Sequence, residues 1–293
     1  MTITFANRIA IVTGAGRGLG RSYARALSAR GARVALVDLS DEAGDAAREI
    51  GEAGGIARAY RVDVTDFAAV ESVVANVLAD WGRVDIVINN AGNLRDRTFA
   101  KMTLDDFRAV VEVHLMGSVH VCKAVWPAMC AQRYGRIVLT TSSSGMYGIF
   151  GQSNYGAAKA AMLGLMNALH LEGERHDIRV NAVMPSAATR MTEGLLGADT
   201  ARLLSPDAVA PGVLFLVSEG APSRVILSAG GGSFARVYVV ETRGISLAEA
   251  ELSPEAVAAR FGEISDVVDA VTLSQGFDQA DKLATAAMRR RGG

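Results

Sequence analysis

Short and nearly continuous apolar runs alternate with longer Ala-rich segments along most of the chain. The runs are rich in Val and Ile, and they lack the strict apolar–polar alternation of a half-exposed strand. Such runs are typical of strands that helices cover on both faces, as in a parallel sheet. The predicted strands are RIAIVTG (8–14), ARVALVD (32–38), ARAYRVDV (57–64), VDIVINN (84–90), GRIVLTTS (135–142), IRVNAVMP (178–185) and RVILSAG (224–230).

The longer segments between these runs predict helices. Strand–helix alternation with right-handed crossovers builds a doubly wound, mostly parallel sheet. We therefore expect an α/β fold of the Rossmann type, a three-layer α/β/α sandwich, in which ligands bind beyond the carboxyl ends of the strands. The predicted helices cover 18–30, 41–53, 66–81, 103–133, 152–174 and 206–218.

The pattern changes after Gly232. The stretch SFARVYVVETRG (233–244) predicts an extra strand, and SPEAVAARFGEISDVV (253–268) begins with a Ser-Pro signal for a helix N-terminus. We expect a main domain of residues 1–241 and a C-terminal extension of residues 242–293 that packs on it.

Composition narrows the classes of function. The chain has 293 residues, half of them apolar, and a net charge of −1, so charge gives no case for nucleic acid as a partner. No run approaches the roughly 18 apolar residues of a membrane helix. The N-terminal MTITFANRIAIVTG lacks the features of a secretory signal, and we expect a cytoplasmic protein. The basic tail MRRRGG predicts either a frayed terminus or a contact with an anionic partner.

The cysteines and histidines indicate neither a disulfide framework nor a metal site. Cys122 and Cys130 lie eight residues apart in a helix-like stretch, and we expect them to be buried free thiols in a reducing compartment. The four histidines, at positions 114, 120, 170 and 176, show no spacing typical of metal ligands. We predict no catalytic metal.

A glycine-rich turn, TGAGRGLG (13–20), directly follows the first predicted strand and opens the first helix. Its glycines allow a tight turn that brings backbone close to a pyrophosphate at the helix N-terminus. Asp38 ends the second strand and supplies the acidic residue expected about 20 residues later, although it could instead cap the next helix. Arg17 could pair with a phosphate, stay in solvent or pack over an adenine. A site for ATP would need a phosphate-loop lysine, which this turn lacks.

Two further strand ends fall at the same edge of the predicted sheet. VDV (62–64) is expected beside an adenine, and NNAG (89–92) beside the ribose on the nicotinamide side. The candidate dinucleotide contacts in all these segments are Gly14, Arg17, Gly18, Leu19, Gly20, Asp38, Asp63, Val64, Asn90, Ala91 and Gly92.

The stretch GQSNYGAAKAA (151–161) places Tyr155 and Lys159 one helical turn apart on the same face. A phenol has a pKa of about 10 and becomes a useful base near neutral pH only when its phenolate is stabilised. A nearby ammonium group provides such stabilisation. The alternative is an ordinary helix with a buried tyrosine and a solvated lysine.

With the glycine turn, NNAG, a serine ahead of Tyr-x-x-x-Lys and a proline after the sixth strand, the chain resembles the short-chain dehydrogenase/reductase family over residues 8 to about 240. The resemblance implies that Tyr155 is the acid/base, that Lys159 binds the nicotinamide ribose and lowers the pKa of the tyrosine, and that Ser142 holds the substrate oxygen. It also implies that Tyr155, Lys159, Pro185 and Thr189 contact the cofactor. Ser143 and Ser144 are expected to be wall and turn residues.

A narrower resemblance links YGRIVLTTSSSGMYGIFGQSNYGAAK (134–159) and SPEAVAARFGEI (253–264) to the (3R)-hydroxyacyl-CoA dehydrogenase part of multifunctional enzyme type 2, also described as a 17β-hydroxysteroid dehydrogenase. The segment after Asp38 is shorter than in the eukaryotic enzymes, and the hydratase and carrier domains are absent, so we expect a stand-alone dehydrogenase. His114 stands where most of the wider family has an asparagine that orders a relay water. It could serve the relay or lie in the core, and we leave it outside the catalytic set.

These resemblances imply an NAD-dependent oxidoreductase that interconverts a secondary alcohol and a ketone on a hydroxyacyl-CoA-like or hydroxysteroid-like substrate, in a homodimer formed through residues 103–133 and 152–174. The alternatives are an NADPH-dependent 3-oxoacyl-carrier-protein reductase, which Asp38 disfavours, and a dinucleotide sensor without catalysis. Arg95, Arg97 and Arg190 are candidates for contacting a coenzyme A phosphate, closing over the cofactor or forming ion pairs.

Overall fold

An eight-stranded sheet organises the residues that the computed structural model describes, which are 2–189 and 198–291. Its strands β1 to β7 are joined by parallel pairings. The strands are β1 (Ile9–Thr13), β2 (Arg33–Asp38), β3 (Ile56–Arg61), β4 (Ile86–Asn89), β5 (Gly135–Thr140), β6 (Ile178–Pro185), β7 (Ile226–Gly230) and β8 (Ser233–Val237).

The strand order is β3-β2-β1-β4-β5-β6-β7-β8. The chain therefore reverses its direction of growth between β1 and β4, the point where doubly wound sheets bind their ligands. Gly231 and Gly232, both with positive φ, form a two-residue connection from β7 to β8. A connection this short joins antiparallel strands. The predicted Rossmann-type fold with a mostly parallel sheet is confirmed.

Helices cover both faces of this sheet. Their ends follow ordinary capping chemistry: the Asp66 side chain accepts a hydrogen bond from the Ala69 amide, and Gly82 ends the same helix in the left-handed conformation. The helices among the described residues are α1 (Gly18–Ser28), α2 (Glu42–Glu52), α3 (Phe67–Trp81), α4 (Leu104–Val111), α5 (Gly117–Gln132), α6 (Ser143–Tyr147), α7 (Ser153–Gly173), α8 (Ala198–Leu203), α9 (Ala210–Leu216), α10 (Pro254–Ala259), α11 (Phe261–Ile264) and α12 (Gly276–Arg291).

The central strands β1, β4 and β5 are buried along their whole length. On one face of the sheet, Tyr23 and Leu27 of α1 and Val213 of α9 belong to the same buried cluster as Val12 and Ile88 of the strands. Full burial of one such aliphatic side chain contributes about 1.5–3 kcal/mol. This core fixes the strand ends, and with them the loops that form the site.

The prediction of one continuous helix over residues 103–133 is wrong for the middle of that segment. The structure has α4, a π-helical turn at Glu112–Met116, and then α5. The turn has two local supports: the Ser118 hydroxyl donates to the His114 carbonyl at 2.7 Å, and Gly117 packs so tightly on Val64 that a Cβ would lie 2.6 Å from its methyl carbon. Neither contact can be deduced from apolar periodicity.

Other predicted boundaries also need correction. The third strand ends at Arg61 rather than at residue 64, because the Asp63 carboxylate accepts the Thr65 amide and hydroxyl and starts a turn. The helix predicted for 206–218 is a 3-10 turn followed by α9, the strand predicted for 233–244 ends at Val237, and the helix predicted for 253–268 divides into α10 and α11.

The chain divides into two compact units, Met1–Arg236 and Val237–Gly293. Within the second unit, Glu241 and Val271 exchange backbone hydrogen bonds of 2.9 and 2.8 Å. The Lys282 ammonium group of α12 binds the Glu241 carboxylate at 2.6 Å. The proposed division into a dinucleotide-binding domain of 1–241 and an extension of 242–293 that packs on it stays a prediction. Across the described ranges, no helix is long and apolar enough to span a membrane.

Candidate active site

The glycine-rich turn joins β1 to α1 at the carboxyl end of the sheet. Gly14 and Gly18 have φ values of +61° and +53°, which glycine adopts without strain. Gly20 is needed for a different reason, because a Cβ there would lie 2.1 Å from the Gly14 carbonyl oxygen. Arg17 precedes the helix without making a side-chain cap. The first amides of α1 can therefore donate to a pyrophosphate.

The NNAG segment is tied directly to this turn. The Asn90 side-chain amide donates to the carbonyl oxygens of Thr13 and Gly14, both at 3.1 Å. In return, the Thr13 hydroxyl accepts from the backbone amides of Asn90 and Ala91, both at 3.0 Å. These four bonds hold the ends of β1 and β4 in register, so that the two predicted binding segments form one surface.

Asp38 is the last residue of β2 and lies against the glycine-rich turn. One carboxylate oxygen accepts from the Gly16 amide at 2.9 Å, and the other accepts from the amide and hydroxyl of Ser40 at 2.9 and 2.8 Å. Arg17 forms an ion pair with Glu42 at 3.0 Å. Asp38 is therefore held in place by the turn rather than capping α2 with its side chain.

A cleft of about 780 Å³ follows these strand ends. Most of the predicted cofactor residues line it, and Thr189 lies over Gly18, whose Cβ position is 3.5 Å from the threonine methyl. Four predicted cofactor residues are not part of the lining. Gly20 packs inside the turn, Pro185 ends β6, and Tyr155 and Lys159 lie on α7. The predicted residues in the lining are Gly14, Arg17, Gly18, Leu19, Asp38, Asp63, Val64, Asn90, Ala91, Gly92 and Thr189.

The sequence analysis missed part of this lining. Five of the additional residues lie within two residues of predicted ones at strand ends, so the strand ends were the signal that could have identified them. The sixth, Val113, lies in the π-helical turn, which no pattern in the sequence indicates. The additional lining residues are Val37, Leu39, Val62, Asn93, Leu94 and Val113.

The three predicted catalytic residues come together from β5 and α7. Ser142 follows β5 and caps α6, accepting the Ser144 amide at 3.2 Å. Its hydroxyl also interacts with the Tyr155 phenol and lowers the pKa of that phenol. The Lys159 ammonium group lies 5.7 Å from the centre of the Tyr155 ring and donates to the Thr140 carbonyl at 2.6 Å.

Burial shifts the pKa values of Tyr155 and Lys159. It raises the pKa of Tyr155 above its ordinary value of 10.0, and the hydrogen bond with Ser142 offsets part of that rise. It lowers the pKa of Lys159 from 10.5 to about 7. Desolvation of the phenolate is the largest cause of the shift in the pKa of Tyr155. The expectation that Lys159 lowers the pKa of the tyrosine stays a prediction.

His114 turns inward from the π-helical turn and lies against Tyr155. The two rings meet edge to face with centres 5.1 Å apart. Nε2 of His114 lies 2.8 Å from the Asn93 carbonyl oxygen, and Nδ1 has no hydrogen-bond partner among the described residues. Burial, followed by the charge of Lys159, lowers the pKa of His114 to about 3, so the ring is neutral. A Cβ on Gly92 would lie 2.2 Å from this ring, which explains the glycine.

The arginines considered for a coenzyme A phosphate lie in different settings. Arg95 pairs with Asp106 at 2.9 Å, which favours the ion-pair interpretation. The backbone amide of Arg97 donates to the Gly151 carbonyl, and its side chain is exposed. Arg190 lies outside the described residues.

The cysteine and metal expectations concern the surroundings of the site. Cys122 is buried and free, and burial raises its pKa to about 12. Cys130 is a free, partly exposed thiol rather than the buried one expected. Within the described part of the chain, no cluster of three or more His, Cys, Asp or Glu side chains could hold a metal.

Comparison with known proteins shows the family to which the chain belongs. A model of the short chain dehydrogenase family matches residues 8–197, more than half of the chain. The chain belongs to the short chain dehydrogenase family. It is an oxidoreductase of that family, whose members bind nicotinamide dinucleotides, either NAD or NADP.

Several members are similar over most of this chain. A short-chain type dehydrogenase/reductase of Mycobacterium tuberculosis is 41% identical over 272 residues, covering 89% of this chain and 95% of the relative. Mouse peroxisomal multifunctional enzyme type 2 is 40% identical over 281 residues, covering 92% of this chain and 38% of the mouse protein. The narrower resemblance is thus confirmed, and the chain spans well under half of that multifunctional relative.

Solved structures of the family agree. The full-length multifunctional enzyme type 2 of Drosophila melanogaster superposes with a TM-score of 0.85 at 32% identity, covering 98% of this chain and 50% of that one. A 7α-hydroxysteroid dehydrogenase solved with NADH and 7-oxo glycochenodeoxycholic acid gives a TM-score of 0.73 at 29% identity, covering 78% of this chain and 95% of that one.

Proposed function

We propose that this short chain dehydrogenase uses NAD to interconvert a secondary alcohol and a ketone. The observation that carries the proposal is the convergence of Ser142, Tyr155 and Lys159 beside the dinucleotide cleft. The ring of His114 contacts Tyr155 on one side and packs on Gly92 of the cleft wall on the other. The phenol is therefore adjacent to the NNAG end of the cleft.

The residues present fit a dinucleotide. The glycine turn lines the cleft through Gly14 and Gly18. Asp38 accepts three hydrogen bonds from Gly16 and Ser40, which leaves about one of its four lone pairs for a ligand. Asp63, Val64 and the NNAG segment would hold the rest. A bound nicotinamide supplies a hydride acceptor and, when oxidised, a positive charge near the phenol.

The protein's own part is orientation and proton transfer. Ser142 holds the substrate oxygen, and Tyr155 removes the hydroxyl proton of the alcohol. Bringing a phenol from a pKa of about 10 to near 7 takes about 4 kcal/mol of phenolate stabilisation. Burial of Tyr155 makes the requirement larger, so the Ser142 hydrogen bond, the Lys159 ammonium group and the charge of the oxidised cofactor must act together.

Asp38 supports NAD over NADP. A carboxylate at this position accepts hydrogen bonds from the hydroxyls of the adenosine ribose. A 2′-phosphate would instead bring like charges together, which costs several kcal/mol at a desolvated contact. We expect NAD to be preferred by about 10²-fold or more. This preference disfavours the NADPH-dependent 3-oxoacyl-carrier-protein reductase.

Two substrate classes are supported by relatives. The narrower resemblance favours a (3R)-hydroxyacyl-CoA-like substrate, and the 7α-hydroxysteroid dehydrogenase favours a steroid. We propose the hydroxyacyl-CoA class first, because the similarity to multifunctional enzyme type 2 covers more of this chain. A sensor without catalysis is disfavoured by the complete set of Ser142, Tyr155 and Lys159, since dinucleotide binding alone needs no buried phenol. A homodimer in the cytoplasm completes the proposal.

A substrate screen tests the function. The purified chain is mixed with NAD or NADP and either a (3R)-3-hydroxyacyl-CoA or a hydroxysteroid, and reduced nicotinamide is followed by absorbance. The (3S) enantiomer of the same acyl-CoA is the matched control. We expect turnover with NAD and the (3R) compound. Binding of NAD without turnover of either class would instead support a sensor, and turnover only with NADP would support the carrier-protein reductase.

A further inference from the structure

The guanidinium group of Arg17, at the adenosine end of the cleft, is held by a carboxylate outside the cleft lining. Arg17 lies 3.0 Å from Glu42, and both side chains are 46% exposed. The Ser40 hydroxyl lies within hydrogen-bond distance of both Glu42, at 3.3 Å, and Asp38, at 2.8 Å. Two carboxylates and one guanidinium therefore form a connected cluster that includes Asp38, the residue proposed to bind the adenosine ribose. The second phosphate of NADP is carried on that ribose.

The position of Glu42 is set by the fold. It is the first residue of α2, and Gly16 lets that helix approach the glycine turn. A Cβ on Gly16 would lie 3.0 Å from the Cβ of Glu42 and 3.1 Å from the Asp38 carboxylate. The neighbouring cation at this edge, Arg61, is already paired with Asp41 at 3.1 Å.

We propose that Glu42 is a specificity-determining residue that reserves the guanidinium of Arg17 and thereby excludes dinucleotides with a 2′-phosphate. The proposal rests on the proposed function and extends it, because Asp38 alone would leave Arg17 available to a phosphate. Glu42 neutralises that attraction and adds a second negative charge next to the position of the phosphate. Selection for a free 2′-hydroxyl then depends on two carboxylates rather than one.

A purely structural role for Glu42 makes a different prediction. Acidic residues in the first turn of a helix are stabilised by the helix dipole. If Glu42 did only this, its replacement would lower the melting temperature and leave nucleotide selectivity unchanged. Selectivity is therefore the measurement that separates the two roles.

The test uses isothermal titration calorimetry of the full chain with adenosine 2′,5′-bisphosphate and adenosine 5′-monophosphate. Glu42→Gln keeps the side-chain shape and removes the charge. Glu49→Gln is the matched control, since Glu49 pairs with Arg21 at 2.6 Å on the same two helices, is 40% exposed and lies outside the cleft lining. Both variants change the net charge by the same amount.

We expect Glu42→Gln to raise the affinity for the bisphosphate, relative to that for the monophosphate, about tenfold, since it frees an exposed cation and removes a like charge. Glu49→Gln should change this ratio by less than about twofold because its charge is distant and screened. Adding Arg17→Met to Glu42→Gln should reverse most of the gain.

An equal shift in both single variants, or a ratio unchanged in Glu42→Gln, would overturn the inference. If the unmodified chain bound the monophosphate in that experiment, the proposed function would stand and only the role of Glu42 would fail. If it bound neither nucleotide, the dinucleotide function itself would fail, and the inference with it.

Discussion

The buried lysine of the candidate site should weaken the fold at neutral pH. Lys159 is almost fully buried, and within the described residues its ammonium group donates to one partner, the Thr140 carbonyl. Burial lowers its pKa from 10.5 to about 7. That change corresponds to about 5 kcal/mol of preference against the charged form in the folded chain.

Replacing this lysine by methionine removes the charge while keeping a side chain of similar length. The variant also loses the 2.6 Å hydrogen bond to Thr140, a pH-independent loss of about 1–3 kcal/mol. We therefore expect Lys159→Met to raise the free energy of unfolding by about 2 kcal/mol or more at and below neutral pH, from the difference between these two terms.

The pH dependence gives the sharper test. Between pH 7 and 10.5 the unfolded chain binds a proton on Lys159 that the folded chain releases, so the unmodified protein gains stability as pH rises. The free energy of unfolding of Lys159→Met minus that of the unmodified chain should therefore fall by about 1.4 kcal/mol per pH unit between pH 7 and 10.5. Below pH 7 this difference should stay constant.

Urea titrations at about pH 6.5, 7.5, 8.5 and 9.5 measure this difference, and all other titrating groups cancel because both proteins carry them. Lys123→Met is the matched control, since Lys123 is exposed on α5 and its replacement should change stability by less than about 0.5 kcal/mol. A difference between Lys159→Met and the unmodified chain that does not vary with pH would refute the reasoning. A lysine whose removal stabilises the fold must be retained for a reason other than stability, which agrees with a role in function.

Three further outcomes follow from the same structure. Gly20→Ala should lower the free energy of unfolding by about 2–4 kcal/mol and impair NAD binding, because the new Cβ would overlap the glycine turn. Gly44→Ala places its Cβ in open space and should stabilise α2 by about 0.5–1 kcal/mol. A urea titration that ranks the two variants in the opposite order would contradict the overlap. Asp38→Ala should narrow the preference for NAD by weakening NAD and admitting NADP, and an unchanged ratio of kcat/KM would count against the role of Asp38. Sedimentation at micromolar concentration should show a homodimer formed through α5 and α7, and a monomer would disprove it.

The sheet could be predicted from the sequence because its strands are buried on both faces. Continuous runs such as IAIVT and GRIVLT are typical of the buried strands of a parallel sheet. The strand order comes from the structure. The binding segments followed in turn, since every one of them occupies a strand end at the switch point. Helices α6 and α12 were not predicted: α6 has only five residues, too few for a helical period, and α12 has 16 residues but a mostly polar composition.

The details of the site could not be predicted because they depend on tertiary contacts. The π-helical turn brings His114 against Tyr155. It is supported by the packing of Gly117 on Val64, a residue that lies far from Gly117 in the sequence. Burial raises the pKa of Tyr155, an effect that the spacing of Tyr155 and Lys159 in the sequence does not reveal. A sequence motif indicates which residues lie close together, but it does not show how completely the fold removes them from water.

The central claim is that the phenol of Tyr155 transfers the proton in an NAD-dependent reaction. The most direct measurement compares turnover and NAD binding of Tyr155→Phe with those of the unmodified chain, using the best substrate of the screen. Tyr60→Phe, which removes a phenol on β3 outside the cleft lining, is the control. We expect Tyr155→Phe to lose at least about 10²-fold in turnover, the usual scale for a general acid/base, while NAD affinity is kept. Near-normal turnover of this variant would contradict the account.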